Sequence, residues 1–356
     1  MQPNPAPGMA GLEAAIPTDA LVIGAGPIGL FQVFQLGLLN IQAHVVDALP
    51  IPGGQCTQLY GDKPIYDIPA IPVCTAAELT RQLHTQAAVF QPHYHWADCV
   101  QHISPQPDAR LQVHTRNGLH FLARTVFITA GAGAFVPRTL KLDGLAALEG
   151  TQVFYQSAPD IAPTGPVLVI GGDVDAVQRA VDLVKVGHTG VTLSHRRDQF
   201  DAPAALLAEM RALVAEGQLA LCIGLPTEIR LENEVLSALG FASAQGGTQW
   251  VNATRVEAYL GVSPTLSPLT QWGIDLDRKA VRIDTATGAT SLPGVFAAGD
   301  VTSYPGKKKL IVCGFHEACM AAYGAQAYLW PGQSFPLQYT SSSTHLQQLL
   351  GVGSPR

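Results

Sequence analysis

A chain of 356 residues exceeds one ordinary domain and suits two, and 47% apolar against 13% charged residues describe a protein that buries most of itself. That balance excludes intrinsic disorder, and a net charge of −6 argues against nucleic acid as a partner. Gly, Pro or charge interrupts each apolar run before the roughly 18 to 20 residues of a membrane span, and six cysteines are too few for a disulfide scaffold.

Residues 1–18 are rich in Pro and Ala, and the first Lys or Arg is Lys63. This opening reads as a disordered tail without the basic start of a targeting segment, and the expected location is cytoplasmic. Order is expected from Asp19. Ala20-Leu21-Val22-Ile23 reads as a buried strand running into Gly24-Ala25-Gly26-Pro27-Ile28-Gly29, with a helix from about Pro27 to Leu39. A second strand, Ala43–Val46, ends in Asp47 and completes a βαβ unit. Thr75 and Glu78 form a capping box ahead of the next helix, and Val126-Phe127-Ile128 is a third buried strand.

The pattern then restarts. Pro166 to Ile170 reads as a strand leading into Gly171-Gly172-Asp173 and a helix through Lys185, and the following strand is Val191 to Ser194. Two βαβ units in one chain imply two nucleotides and an α/β fold of two Rossmann-like dinucleotide-binding domains. Further on, a strand ends in Gly299-Asp300, and an Ala-rich helix from about Phe315 stops before Pro331.

Each glycine of the first motif has its own task. Gly24 makes the tight turn, Gly26 lets a pyrophosphate approach the backbone, and Gly29 lets helix and strand pack closely. The positive end of the helix faces the phosphates, and Asp47 is placed to accept hydrogen bonds from a ribose diol.

Asp47, then Gly53-Gly54-Gln55, Leu59-Tyr60, Ile65-Tyr66-Asp67-Ile68 and the distant Gly299-Asp300 together resemble the two-dinucleotide-domain flavoproteins, and within them the thioredoxin-reductase-like ferredoxin:NADP reductases. The resemblance implies FAD in the first site, held at Gly24, Gly26, Pro27, Ile28, Gly29 and Asp47, with Asp300 on a ribityl hydroxyl. It places Gln55, Tyr60, Val100 and Phe135 along the cofactor, with Tyr60 stacked on the isoalloxazine. The expected domains are an FAD domain over 19–140 and 264–335, an NADPH-type domain over 141–263, and an extension over 336–356.

Relatives that reduce disulfides carry Cys-x-x-Cys or Cys-x4-Cys beside the flavin. Here Cys56 stands alone, because the residue five places on is Gly61. No dithiol path exists for a thioredoxin or glutathione reductase, which leaves direct transfer from flavin to acceptor. His93 and His95, without a nearby acidic or cysteine partner, read as strand residues rather than a metal site.

The second site is a mixture. Gly171 and Gly172 are kept, but the middle glycine of the family pattern is Asp173, whose side chain obstructs a pyrophosphate and repels it. His195-Arg196-Arg197 stand where the family grips the 2′-phosphate of NADPH, and the further arginine expected downstream is Asp201.

After Pro331, Tyr339, Thr340 and Ser341 match the extension that, in the family, crosses to cover the partner subunit's flavin, which implies a homodimer. Lys307-Lys308-Lys309 read either as a solvated loop or as a docking patch for a small acidic carrier such as ferredoxin or flavodoxin. The expected activity is electron transfer between NADPH and that carrier through FAD. The alternative is an FAD-binding relative with an impaired NADPH site, acting as a regulatory or binding protein or using another donor.

Overall fold

A computed structural model describes residues 15–155, 163–242 and 246–352. The α-helices named below are α1 (Pro27–Leu38), α2 (Gln55–Gln58), α3 (Ala76–Ala88), α4 (Val174–Lys185), α5 (Ala204–Ala215), α6 (Ile311–Leu329) and α7 (Thr344–Leu349). The chain divides into two compact units, one formed by the residues up to Ala134 with those from Pro264 onward, the other by Phe135–Ser263.

The first unit is built on a mixed sheet in the spatial order His93–His95, Ala43–Val46, Ile16–Ile23, His120–Ile128, Leu111–Thr115, Val100–Pro105, with Val295–Ala297 also paired to His120–Ile128. The motif strands are parallel to one another, and Leu111–Thr115 and Val100–Pro105 form an antiparallel ribbon at one side. On one face Val22, Val45 and Phe127 pack with Leu30 and Leu36 of α1, Leu79 of α3 and Ala321 and Ala325 of α6. On the other, Leu21, Val126 and Ile128 pack with Val113, Phe121 and Trp272. Helices on the first face present period-3.6 apolar stripes, and burial on both faces explains the unbroken apolar run Ala20–Ile23.

The structure corrects some boundaries. The motif strand starts at Ile16, because Ile16, Pro17 and Thr18 pair with Phe121, Leu122 and Ala123; the start of the expected tail lies outside the described residues. Pro17 is tolerated because the partner strand on its other side begins only opposite Ala20. Helix α6 starts at Ile311 rather than Phe315, and His195 ends a strand rather than opening a loop. The Thr75 capping box closes as expected, with Glu78 N–H donating to Thr75 Oγ1 at 3.1 Å and Thr75 N–H to Glu78 Oε2 at 2.8 Å.

The second unit holds a parallel sheet in the order Val153–Tyr155, Arg255–Tyr259, Val167–Gly171, Val191–His195, Leu219–Ile223. Helices α4 and α5 cover one face through Val177, Val181 and Met210, and the antiparallel sheet of Pro226–Glu232, Val235–Ala242 and Thr248–Asn252 covers the other through Leu239 and Phe241. Glu257, wholly buried, takes a two-pronged bond from Arg179 of α4 at 2.6 and 3.1 Å, pinning that helix to the sheet.

Candidate nucleotide-binding sites

In the first unit the sheet delivers Ile23 into the glycine turn, and Pro27 opens α1 at its first position, where its missing N–H costs nothing. A Cβ on Gly29 would lie 1.8 Å from the Gly24 carbonyl oxygen, so the helix sits on its own turn only because residue 29 is glycine. Gly26 is different. Its backbone, φ −67°, suits any residue, and a Cβ there would meet no atom within 4 Å. As the residue preceding α1 it caps no helix amide, although Ser or Asp there would do so. Nothing among the described residues requires this glycine, whereas a phosphate seated on the helix start would.

The Asp47 carboxylate accepts the Ala25 N–H at 2.5 Å through Oδ2 and the Leu49 N–H at 2.7 Å through Oδ1. These bonds favour the ionised form while burial, the larger influence, raises its pKa. Each oxygen keeps a further acceptor position for a ribose hydroxyl. The second glycine pair closes on the first: Gly53 N–H donates to the Ala25 carbonyl at 2.9 Å, and a Cβ on Gly54 would stand 3.3 Å from the Gly26 Cα. Gly54 immediately precedes α2, whose Gln55 accepts the Tyr60 hydroxyl at 2.9 Å. Gly299 packs on Ile28 of α1, which brings Asp300 to the same turn, and the Asp300 charge acts on both Tyr60 and Cys56. Burial first, and Asp300 second, push the Cys56 thiol up to about 11.

Gly24, Gly26, Pro27, Ile28, Gly29, Asp47, Gln55, Tyr60 and Asp300 are thus assembled around one helix start. Val100 has its side chain in the core beside Val46, so only its main chain is left to face a ligand. Phe135 lies in the strand Ala134–Pro137, and its side chain is outside the described residues. Tyr339, Thr340 and Ser341 are exposed, Tyr339 by 64%. Gln347 of α7 donates to the Thr340 carbonyl at 3.2 Å, and His345 of α7 lies 3.1 Å from Asn40, just past the C-terminal end of α1. Helix α1 has 12 residues, about 18 Å at 1.5 Å per residue, so α7 is anchored at the end of α1 opposite the glycine turn.

In the second unit a Cβ on Gly172 would fall 2.5 Å from the His195 ring, and His195 Nδ1 lies 3.0 Å from both the Arg197 and Gln199 carbonyls. Gly171, Gly172 and His195 therefore form one packed turn. Arg196 and Arg197 are exposed and join no ion pair among the described residues, leaving both guanidinium groups available to an anion. Asp173 immediately precedes α4, and its carboxylate accepts the Ala176 N–H at 3.1 Å. The Asp201 N–H donates to the Gly172 carbonyl at 2.7 Å, so the two acidic departures meet at one turn.

Two features escaped the sequence. Lys307, read with the exposed lysines, is only 8% exposed and is paired with the buried Glu317. Burying its charge beside a carboxylate removes it from any docking patch, leaving Lys308 and Lys309. Glu317 itself drew no notice. Its signal is an acidic residue on the stripe of α6 that buries Gly314, Ala318, Ala321 and Ala325.

A strand, a glycine turn and a helix start, repeated in a second sheet, define a protein with two dinucleotide-binding-type units. The family of pyridine nucleotide-disulphide oxidoreductases matches residues 18–327, and the chain belongs to it. It is 51% identical over 344 residues to a ferredoxin–NADP reductase of Verminephrobacter eiseniae, covering 95% of this chain and 97% of that one. A ferredoxin–NADP reductase of Albidiferax ferrireducens is 47% identical over 345 residues, covering 96% and 97%. A thioredoxin reductase structure from Gloeobacter violaceus shares the fold, with TM-score 0.55 at 20% identity over 91% of this chain and 98% of that one. A bacillithiol disulfide reductase from Staphylococcus aureus does likewise, with TM-score 0.54 at 17% identity over 88% and 99%. Membership implies FAD and NADP(H) as cofactors, and the open space at Gly26 and the spare acceptors of Asp47 fit a dinucleotide in the first unit.

Proposed function

We propose that the protein is an FAD-dependent oxidoreductase passing electrons between NADPH and a small one-electron carrier such as ferredoxin or flavodoxin, as a homodimer in the cytoplasm. The observation that carries this reading is the near full-length identity to ferredoxin–NADP reductases. It agrees with the isolated Cys56 thiol at the flavin turn, which offers electrons no dithiol. All six cysteines are free, which suits a reducing compartment. No helix among the described residues is long and apolar enough to cross a membrane.

FAD, when bound, would supply the chemistry, namely hydride acceptance from NADPH and one-electron release. The chain supplies position. The α1 start and Gly26 receive the pyrophosphate, Asp47 the ribose, Asp300 the ribityl chain, and Gln55, Tyr60, Val100 and Phe135 the remaining length, with Tyr60 against the ring. Gly171, Gly172, His195, Arg196 and Arg197 hold NADPH. Thr340, Ser341 and a stacking Tyr339 serve the partner subunit's flavin, a reading supported by the anchorage of α7 at the far end of α1. Lys308 and Lys309 steer an acidic carrier. The domain limits proposed for these roles are 19–140 with 264–335 for FAD, 141–263 for NADPH, and 336–356 for the flavin cover.

Asp173 favours a second reading, in which the NADPH site is impaired and another donor, or a binding role, takes over. Anaerobic titration of the yellow protein separates the two. Bleaching of the flavin band by low NADPH and not by NADH is expected, with dithionite as the control for full reduction. Bleaching by dithionite alone would refute NADPH reductase activity.

A further inference from the structure

Glu317 is 5% exposed in the middle of α6, and the partners of its carboxylate all come from one loop, residues 299–307. Oε2 accepts the Gly299 N–H at 2.7 Å and lies 3.3 Å from the Thr302 hydroxyl. Oε1 accepts the Tyr304 hydroxyl at 2.6 Å and the Lys307 ammonium. A buried carboxylate is costly unless paired and fully hydrogen-bonded, and here the loop provides every donor. The dependence runs the other way as well. Apart from the two-residue strand Thr302–Ser303, the loop has no regular structure to hold it. The Gly299 N–H lies one peptide before Asp300, and the Gly299 carbonyl, in the peptide that enters Asp300, accepts the Thr302 N–H at 3.0 Å and the Thr302 hydroxyl at 2.8 Å, so Glu317 anchors the start of the turn that carries Asp300.

We propose that Glu317 is a positioning residue of the flavin site, holding Asp300 in its cofactor-binding orientation through Gly299 and locking the loop through Lys307; this rests on the flavoprotein reading above. The carboxylate, rather than any polar group, is required. A glutamine at this place still accepts the Gly299 N–H, but its NH2 then faces the Lys307 ammonium, donor against donor, and the Tyr304 hydroxyl has to turn from donating to accepting. A cavity of about 140 Å3, lined in part by Tyr304, His316 and Met320, opens beside the carboxylate and gives an altered side chain room without displacing α6.

The test is a double-mutant cycle on FAD affinity, measured by flavin fluorescence as apoprotein is titrated with FAD, using wild type, E317Q, D300N and E317Q/D300N. We expect E317Q to weaken FAD at least tenfold, and the double variant to be at least threefold tighter than the product of the two single losses requires, because one residue acts through the other. E317A serves alongside E317Q, with far-UV circular dichroism showing which variant is folded. FAD binding by both variants within twofold of wild type would overturn the inference, as would strictly multiplicative losses. Failure of the wild-type chain to take up FAD would instead overturn the flavoprotein reading, and this inference with it.

Discussion

Asp173 accepts the N–H of Ala176 at 3.1 Å, filling with its own carboxylate a helix-start amide that a bound pyrophosphate would otherwise claim. Gly26 holds the same place before α1 and carries no side chain. One motif is left open to a ligand and the other is capped from within. Asp173→Gly is therefore expected to tighten NADPH at least tenfold, while stability falls by only a few tenths of a kcal/mol, about what a cap-to-glycine change costs. Equal NADPH dissociation constants for variant and parent by calorimetry would show that the carboxylate moves aside freely.

Gly26 and Gly29 are predicted to fail in different ways. Gly26→Ala meets no atom and should leave the melting temperature unchanged while weakening FAD at least tenfold. Gly29→Ala drives a methyl group into the Gly24 carbonyl and should cost about 3 kcal/mol or more, the upper range of overpacking. Thermal unfolding of the two apoproteins, followed by FAD titration, checks both. An FAD affinity unaltered in Gly26→Ala would remove the phosphate from that turn.

Cys56 is held as a thiol well above neutral pH, and its pKa of about 11 reflects burial first and Asp300 second. The prediction is that Cys56→Ser keeps at least half of the NADPH-driven reduction of ferredoxin, and that iodoacetamide at pH 7.5 leaves turnover intact. Loss of turnover on alkylation, with the mass shift located at Cys56, would restore a thiol to the electron path.

His44 packs against His93 and His95, with its Nδ1 3.0 Å from His95 Nε2, and against the edge of Phe121. Burial, followed by the charges of His95 and His93, lowers its pKa to about 4. Since the folded pKa lies below the ordinary 6.5, the unfolded chain binds the proton first, and stability falls as pH drops from about 6.5 towards 4. Discounted for solvent screening of a ring that is only partly buried, the loss by pH 5 is about 1 kcal/mol. Urea midpoints at pH 7 and pH 5 should converge in His44→Gln relative to the parent. A parental midpoint insensitive to pH would contradict the linkage.

What was legible in the chain was local. Gly24 to Gly29, Asp47 at the end of its strand and the Thr75 capping box each speak through residues a few positions apart, where turn chemistry and helix capping act directly. What was hidden depends on partners distant in sequence. Ile16 to Thr18 look like a tail until Phe121 to Ala123 are placed beside them. Lys307 looks like its two neighbours until Glu317 turns it inward. The antiparallel sheet around Leu239 went unread because its register is set by pairing with Ile229 and Val251, not by a motif.

The strand Val295–Ala297 completes the first sheet by pairing with Val126–Ile128, although the whole of the second unit is synthesised between them. Translation therefore imposes an order on folding. The inserted unit leaves the ribosome complete and can close while the first sheet still waits for its last strand. Throughout that interval Val126–Ile128 presents an unpaired, wholly apolar edge, the kind of surface that recruits another nascent chain or a chaperone. A ribosome stalled just short of Val295 would display a finished insert on an unfinished host.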